Sequence, residues 1–263
     1  MAVRRQPSGE ARGQHFLRSR KLAADIVAGA GVARGDLVVE IGGGTGVLTA
    51  ALAEAGARVL AVERDPVLAA GLRARFGRSG AVRIVEGDAA GCEWPAEPFA
   101  VVGNLPFARS GAILERLLSD PSVPLRRVHV IVQWEFGAKH AAVWPSTLRA
   151  NYWRAWHDVS IHRRLDRTAF APPPKVDAAV LRFERRAAPR LPVDLHKDYR
   201  VFLSAAFAAH GTLRRALWPS LSPLQTKRLA PALGFSPQAH ARDLDAEQWV
   251  RLFIASRDAR SRR

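Results

Sequence analysis

The sequence predicts an α/β protein with a mostly parallel, doubly wound sheet, followed by a small all-helical C-terminal domain. Between residues 23 and 148, short apolar runs alternate with Ala- and Leu-rich segments, a pattern typical of parallel sheets covered by helices. After about residue 199, apolar side chains recur at helical spacing without further strand-like runs. With 263 residues, of which 48% are hydrophobic and 24% charged, the chain is long enough to bury a sizeable core.

The strands of the sheet are indicated by short apolar runs bounded by polar residues or glycines. We expect strands at 36–41, 58–63, 82–86, 99–104 and 128–132. Helices are expected between them, over 47–56, from Pro66 onward and over 113–119. Asp65 before Pro66 is a helix start signal, because an aspartate can cap the helix and proline suits its first position.

The second half of the chain changes character. A strand is expected at 176–183, after the proline-rich loop 171–174, and a charged linker at 185–192. Helices are expected from Tyr199 onward, over 224–233 and over 246–254. We therefore expect one domain over residues 1–187 and a helical one over 188–263.

The charge of the chain is strongly positive and unevenly distributed. Lys and Arg number 40 against 24 Asp and Glu, a net charge of +16 and a pI near 11.4. Residues 1–22 carry +5, residues 23–148 carry −1, residues 149–190 carry +6 and residues 191–263 carry +6. This asymmetry predicts a polyanionic partner, nucleic acid first and an anionic membrane surface second.

Several classes of protein are excluded or disfavoured. A single cysteine, Cys92, excludes a disulfide framework and any multi-cysteine metal site, and it suits a reducing compartment. No apolar run approaches the roughly 20 residues of a membrane span. The first 21 residues are polar and basic, unlike a secretory signal. We expect a cytoplasmic protein without a metal or a membrane partner, and a monomer.

A glycine-rich turn follows the first predicted strand, at Gly42-Gly43-Gly44-Thr45-Gly46. Such a turn alone serves a nicotinamide, a flavin or S-adenosylmethionine, because glycine lets the backbone turn tightly and approach a ligand. The turn does not match the dinucleotide-binding spacing G-x-G-x-x-G, because Val47 stands where the third glycine would be. The spacing G-x-G-x-G, with Glu40 two residues before it, is the pattern of S-adenosylmethionine-dependent methyltransferases.

Two further carboxylates end successive strands and support this interpretation. Glu63 ends the second strand, where it can accept hydrogen bonds from both ribose hydroxyls of the cofactor. Asp88 follows the third strand and can accept a hydrogen bond from the adenine amino group of the cofactor. Ligands of such sheets bind beyond the carboxyl ends of the strands, where both residues and the glycine turn fall.

The tetrapeptide Asn104-Leu105-Pro106-Phe107 ends the fourth strand and is the most specific motif in the chain. An exocyclic adenine amine is a poor nucleophile because its lone pair is delocalised. Two acceptors, the Asn104 amide oxygen and the Leu105 carbonyl oxygen, can localise that pair by accepting hydrogen bonds from the two N–H groups of the amine. Pro106 fixes the backbone, and Phe107 offers a face on which the base stacks. Positioning and electrostatics then carry the methyl transfer.

A base that is paired inside a nucleic-acid double helix cannot reach such a pocket. The target adenine must therefore be unpaired or flipped out of its stack. Phe170, at the start of Phe170-Ala171-Pro172-Pro173-Pro174, is a candidate second stacking face. A loop aromatic packed on the core is the alternative for this residue.

In these motifs and their order the sequence resembles the ribosomal RNA adenine N6-methyltransferases, which include the Erm-type resistance enzymes and the KsgA-type dimethyltransferases. The match covers most of the chain and includes Gly13-Gln14-His15-Phe16-Leu17, which is similar to the family's N-terminal Gln-Asn-Phe-Leu motif. The resemblance implies a Rossmann-like methyltransferase fold, S-adenosylmethionine as cofactor and ribosomal RNA as partner. His15 stands where the family usually has Asn.

The resemblance also implies the residues of the site. The expected cofactor contacts are Gln14, His15, Leu17, Gly42, Gly44, Glu63, Asp88, Ala89 and Asn104. Asn104, Leu105, Pro106, Phe107 and Phe170 are expected to hold the adenine and support catalysis. The expected RNA contacts are arginines of the basic segments and one beside the tetrapeptide: Arg4, Arg5, Arg12, Arg109, Arg163, Arg164, Arg214 and Arg215.

Two features favour the Erm type over the KsgA type. The KsgA-type pattern has Tyr at the position of Phe107, and it carries an Arg-Arg-Lys cluster that the segment 207–215 lacks. An Erm enzyme methylates an adenine of large-subunit (23S) rRNA and thereby confers resistance to macrolides, lincosamides and streptogramin B. The alternatives are a KsgA-type enzyme of small-subunit rRNA, a non-catalytic nucleic-acid-binding descendant of the fold, and a DNA adenine methyltransferase.

Overall fold

The computed structural model describes residues 14–209, 211–236 and 238–261. The strands are β1 (Phe16–Leu17), β2 (Leu37–Ile41), β3 (Arg58–Glu63), β4 (Val82–Glu86), β5 (Phe99–Asn104), β6 (Leu125–Gln133), β7 (His157–Leu165), β8 (Phe170–Ala171) and β9 (Ala178–Arg185). The helices are α1 (Arg20–Gly29), α2 (Val47–Glu54), α3 (Pro66–Phe76), α4 (Ser110–Leu118), α5 (Trp134–Ala141), α6 (Leu148–Arg154), α7 (His196–Ala208), α8 (Leu213–Ala216), α9 (Pro223–Leu233) and α10 (Ala246–Ser261).

Seven of the described strands form one sheet in the order β4-β3-β2-β5-β6-β9-β7. The five from β2 to β6 run parallel, and β9 joins β6 antiparallel. The expected mostly parallel sheet is therefore confirmed. Its central strands are apolar on both faces, as in Val38 and Val101, because helices cover both sides of a parallel sheet.

The local start and stop signals act as the sequence indicates. The Asp65 side chain accepts hydrogen bonds from the backbone N–H groups of Val67 and Leu68, and Pro66 begins α3. Gly46 precedes α2 with a φ of 78°, a left-handed conformation that glycine adopts without strain. Each helix thus returns the chain to the amino end of the next parallel strand and leaves the strand ends open.

A small two-stranded sheet, absent from the sequence predictions, pairs β1 with β8. Phe16 lies opposite Ala171 and Leu17 opposite Phe170. Two residues are too few to display the alternation that identifies a strand. This pairing carries the N-terminal segment to the edge of the site.

The chain divides into two compact units. The first contains the chain up to Ser119 with 123–138 and 160–184; the second contains 120–122, 139–159 and the chain from Arg185 onward. The division near residue 185 lies close to the expected boundary at 187, but 139–159 belongs to the helical unit. The reason is aromatic packing, since buried Tyr152 and Trp156 contact Tyr199 of α7.

The described residues offer neither a membrane-spanning helix nor a metal-binding cluster. Within them, no helix has both the length and the apolar character that crossing a bilayer requires. In the same part of the chain, no three His, Cys, Asp or Glu side chains group so that they could hold a metal ion.

Candidate active site

A cleft of about 640 Å³ lies in the first unit, at the carboxyl ends of β2 to β5. It brings together most of the residues that the sequence singled out for cofactor and adenine. These are Gln14, His15, Gly42, Gly44, Glu63, Asp88, Ala89, Asn104, Leu105, Pro106 and Phe107. The strand order explains this, because β2 is flanked by β3 and β5 and the loops after all three meet at one edge.

The glycine turn leaves no room for side chains at its first positions. Gly42 has a φ of 79°, and a Cβ built there would lie 3.0 Å from the Asn104 carbonyl oxygen. A Cβ on Gly44, at φ 53°, would lie 3.0 Å from the Phe16 ring. Glycine is therefore required on both steric and conformational grounds.

The Glu63 carboxylate is fixed by the backbone. Its two oxygens accept hydrogen bonds of 2.8 Å from the N–H groups of Gly44 and Asp65, and the side chain is 6% exposed. Each carboxylate oxygen has a second acceptor site. Glu63 is thus held rigidly beside the glycine turn, and its oxygens can still accept hydrogen bonds from two hydroxyl groups.

Glu40 lies beneath the same turn and is fully buried. The Thr49 hydroxyl donates to Oε2 at 2.6 Å, whereas no described residue pairs with Oε1. Burial raises the pKa of Glu40 to about 8, and the nearby Glu63 carboxylate adds to this. Glu40 is therefore protonated at neutral pH and supports the turn from below as a neutral group.

Asp88, at the far end of the cleft, is paired with Arg109. The Arg109 Nη1 donates to Asp88 Oδ2 at 2.6 Å, and the Ala90 N–H donates to Oδ1 at 3.0 Å. The Ala90 N–H and the Arg109 guanidinium hold the pKa of Asp88 below its usual range. Asp88 is thus an ionised acceptor, and Arg109, which we expected at the RNA, lines the cleft.

The tetrapeptide lines the cleft, and two of its acceptors receive no hydrogen bond from the described residues. The Asn104 Nδ2 donates to the His15 carbonyl oxygen at 2.6 Å, which leaves the amide oxygen as the group's acceptor. The Leu105 N–H donates to the Ile131 carbonyl at 3.1 Å, and none of the described residues donates to the Leu105 carbonyl. Phe107 is half-buried beside them.

His15 contacts two parts of the site. Its Nδ1 is 2.8 Å from the Pro172 carbonyl oxygen, and its ring centroid is 5.6 Å from that of Phe107. Together with the Asn104 bond to its backbone, these contacts join the N-terminal segment to the tetrapeptide and to the proline-rich loop. Sequence reasoning assigned His15 a cofactor contact and missed this bridging position.

The structure corrects the expectation for Phe170 and leaves that for Leu17 open. Phe170 is 0% exposed and does not line the cleft, so no base can stack on its face here. Its ring meets that of Phe107 edge-on at 6.4 Å, so it supports Phe107 from the core. The Leu17 side chain is buried, but Leu17 lies with Phe16, Gly42 and Gly44 around a smaller pocket at the glycine turn, so its contact with the cofactor stays a prediction.

The expected RNA contacts fall into three groups. Arg163 lies 3.6 Å from Asp25, and Arg164 donates to Asp177 while its guanidinium lies 4.5 Å from the centre of the Trp134 ring. Arg214 and Arg215 are exposed on α8, and within the described residues no carboxylate pairs with them. The three remaining arginines, Arg4, Arg5 and Arg12, lie outside the described residues.

The cleft also contains residues that sequence reasoning missed. Phe16, Ile41, Arg64 and Ala108 line it. Each adjoins a motif residue in sequence, so proximity to the motifs was the available signal.

This sheet order, with a glycine turn after its first parallel strand and fixed acceptors after the next two, is that of the S-adenosylmethionine-dependent methyltransferases. The residues fit that cofactor. Glu63 and Asp88 are fixed acceptors of the kind that its ribose and adenine require, and the turn at Gly42 provides a wall without side chains. Apolar Ile41 and Val62 complete the lining, and S-adenosylmethionine is accordingly the cofactor.

Comparison with known proteins defines the family. The family model for "Ribosomal RNA adenine dimethylase" matches residues 10–258, and the chain belongs to this family. It is 30% identical over 245 residues to an rRNA adenine N-6-methyltransferase of Bacillus licheniformis, covering 92% of this chain and 84% of the relative. It is 38% identical over 260 residues to ribosomal RNA small subunit methyltransferase A of Rhodococcus opacus, covering 91% and 86%.

Among solved structures, the chain is similar to the 23S rRNA methyltransferase ErmE. The TM-score is 0.80 at 29% sequence identity, over 91% of this chain and 98% of ErmE. The fold, the helical C-terminal part and the membership of an enzyme family are thereby established together.

Proposed function

We propose that this protein is an Erm-type enzyme, which methylates the exocyclic N6 of one adenine in 23S rRNA and confers resistance to macrolides, lincosamides and streptogramin B. The observation that carries the proposal is the pair of acceptors at the end of β5. The Asn104 amide is oriented by its bond to His15, so that its oxygen is the remaining acceptor, and the Leu105 carbonyl lies next to it.

These two acceptors act on the amine of the target base. They accept hydrogen bonds from its two N–H groups. The nitrogen lone pair is then less delocalised into the ring and becomes available for bonding to carbon. When bound, the cofactor would supply a sulfonium methyl group: the S–C bond would break as the N–C bond forms, a neutral thioether would leave, and the nitrogen would release one of its two protons to water. Because the acceptors are held in place before the substrate arrives, their effect costs no reorganisation during the reaction.

Phe107 holds the plane of the base. Its ring is fixed between the His15 ring and the edge of Phe170, at 5.6 and 6.4 Å between centroids. An aromatic face of this kind binds a base that has left its stack, and stacking is worth about 1–3 kcal/mol per base. Phe170 therefore acts through Phe107, as a support.

The choice of 23S over small-subunit rRNA is supported by Phe107 and by the absence of the Arg-Arg-Lys cluster in 207–215. The similarity to ErmE over nearly the whole chain adds to this support. The 38% identity to the Rhodococcus small-subunit enzyme favours a second candidate, a KsgA-type dimethyltransferase. We expect the protein to act in the cytoplasm, where ribosomal RNA is assembled, and as a monomer.

The test is to map the methylated adenine in rRNA from cells that express the protein, and to measure macrolide susceptibility in the same cells. Modification of 23S rRNA with raised resistance is expected. Asn104→Ala should lower kcat by about 10²–10³-fold, the effect of removing one preorganised hydrogen-bonding group. The control is Arg73→Ala, which breaks only an exposed pair with Glu86 outside the cleft. Methylation confined to small-subunit rRNA would refute the 23S assignment in favour of the KsgA type.

A further inference from the structure

We propose that Arg109 belongs to the cofactor site, where it holds the Asp88 carboxylate in place to accept the amino group of the cofactor's adenine. Its position in the chain, two residues after the tetrapeptide and within a basic protein, suggests an RNA contact instead. The contacts of the side chain in the structure favour the cofactor site. The proposal depends on the cofactor and is independent of which rRNA is methylated.

The first support is the geometry of the pair. Arg109 Nη1 lies 2.6 Å from Asp88 Oδ2, and both side chains are about one-third exposed, at 35% and 37%. The Ala90 N–H holds the other oxygen at 3.0 Å. With one donor on each oxygen the carboxylate plane is fixed, and each oxygen keeps an acceptor site for a ligand.

The second support is the placement of the pair on the cleft wall. Arg109 and Asp88 both line the cleft, as does Ala89 between Asp88 and Ala90. Arg109 ends the short 3-10 turn Phe107–Arg109, and its N–H donates to the Pro106 carbonyl at 2.8 Å. The guanidinium therefore extends from a well-anchored turn, which suits a positioning residue.

The third support is electrostatic. The groups facing Asp88 are Arg109, the more distant Arg64 and the Cys92 thiol, which donates to the Asp88 backbone carbonyl at 3.3 Å. Burial and the Asp88 charge raise the pKa of Cys92, so the thiol stays neutral. Arg109 is thus the cation in hydrogen-bond contact with this carboxylate.

The role predicts a change in ligand discrimination that a general structural role does not produce. S-adenosylhomocysteine carries the adenine amino group, whereas S-inosylhomocysteine has a carbonyl oxygen at that position, which a carboxylate repels. A well-positioned Asp88 should therefore favour the first ligand over the second. Loss of Arg109 should weaken this preference by releasing the carboxylate from its position.

The experiment is calorimetric titration of both ligands, without RNA, into the wild-type protein and the variants Arg109→Ala, Arg109→Lys and Arg73→Ala. Arg109→Ala should raise the Kd for S-adenosylhomocysteine about fivefold, a value reduced for the partial exposure of the pair. The Kd for S-inosylhomocysteine should change less than about twofold. Arg109→Lys should restore part of the preference as a point charge, and Arg73→Ala, which breaks an exposed pair of similar length, should match wild type.

Two results would overturn the proposal. If Arg109→Ala raised the Kd of both ligands equally, Arg109 would have only a general structural role. If the binding of both ligands were unchanged while RNA binding became weaker and less dependent on salt, Arg109 would be an RNA contact instead. If Arg109→Ala fails to give a cooperative melting curve, Arg109→Gln, which keeps a donor without the charge, carries the same comparison. Failure of rRNA methylation would leave these ligand measurements interpretable, because they contain no RNA.

Discussion

Glu40 should make the stability of the first unit depend on pH with an unusual sign. The side chain is fully buried, and its pKa of about 8 in the folded protein compares with 4.5 for an ordinary carboxyl. A raised pKa means that the folded state binds the proton more tightly than the unfolded state. Stability from this group is therefore fully present below pH 4.5 and is lost as the pH rises toward 8.

The size of the effect follows from the shift. Each pH unit well between the two pKa values costs about 1.4 kcal/mol, and the slope is smaller near either pKa, so the wild-type protein should lose about 3 kcal/mol from this group between pH 5 and pH 8. Glu40→Gln removes the titration and keeps an oxygen that accepts from the Thr49 hydroxyl. Its amide nitrogen lacks a partner at the position of Oε1, a cost of about 1–3 kcal/mol that does not vary with pH.

The measurement is hydrogen exchange of the amides of β2, the strand that contains Glu40, at pH 5, 6, 7 and 8. The free energy of opening of Glu40→Gln minus that of wild type should rise by about 3 kcal/mol over this range. The control is Glu97→Gln, since Glu97 is exposed and Arg58 holds its pKa below the usual range. A difference for Glu40→Gln that stays constant with pH, or falls, would refute a protonated Glu40.

Three further predictions concern the cleft and the RNA surface. His15→Ala should raise the KM for RNA about tenfold with little change for S-adenosylhomocysteine binding, because the contact with Phe107 is lost; steady-state kinetics with each substrate varied decides this, and a change confined to the cofactor would contradict it. Gly42→Ala should weaken S-adenosylhomocysteine binding more than tenfold in calorimetry, since φ is 79° and the new Cβ would press on the Asn104 carbonyl; unchanged affinity would contradict the required glycine. Arg214→Gln with Arg215→Gln should reduce the slope of log K for RNA against log salt by about 1.4 and leave cofactor binding intact; an unchanged slope would remove α8 from the RNA surface.

The sheet and the cofactor motifs could be predicted because their signals are local. Glu63 and Asp88 each follow a strand whose apolar run identifies it, and parallel topology then brings the strand ends together. The neighbours of β2 in the sheet, β3 and β5, were not predicted, because the order of elements along the chain does not determine the order of strands in a sheet.

The features that sequence reasoning missed depend on contacts between distant residues. The sequence left open whether Phe170 is a stacking face or a core aromatic, and the pairing of β8 with β1, more than 150 residues earlier, places it in the core. Residues 139–159 precede the expected domain boundary, yet their aromatic side chains pack with Tyr199. Arg109 adjoins the tetrapeptide in sequence, but its partner, Asp88, is 21 residues away. Periodicity and composition carry no information on such pairings.

The pairing of the arginines changes what the charge of +16 implies for RNA binding. An arginine that already holds a carboxylate must exchange one anion for another when it meets a phosphate, so its net gain is small. Arg109, Arg163 and Arg164 have such partners, whereas Arg214 and Arg215 have none among the described residues. The salt dependence of RNA binding should therefore be shallower than the eight expected arginines suggest. Of the expected arginines that the structure describes, Arg214 and Arg215 should contribute most of this dependence.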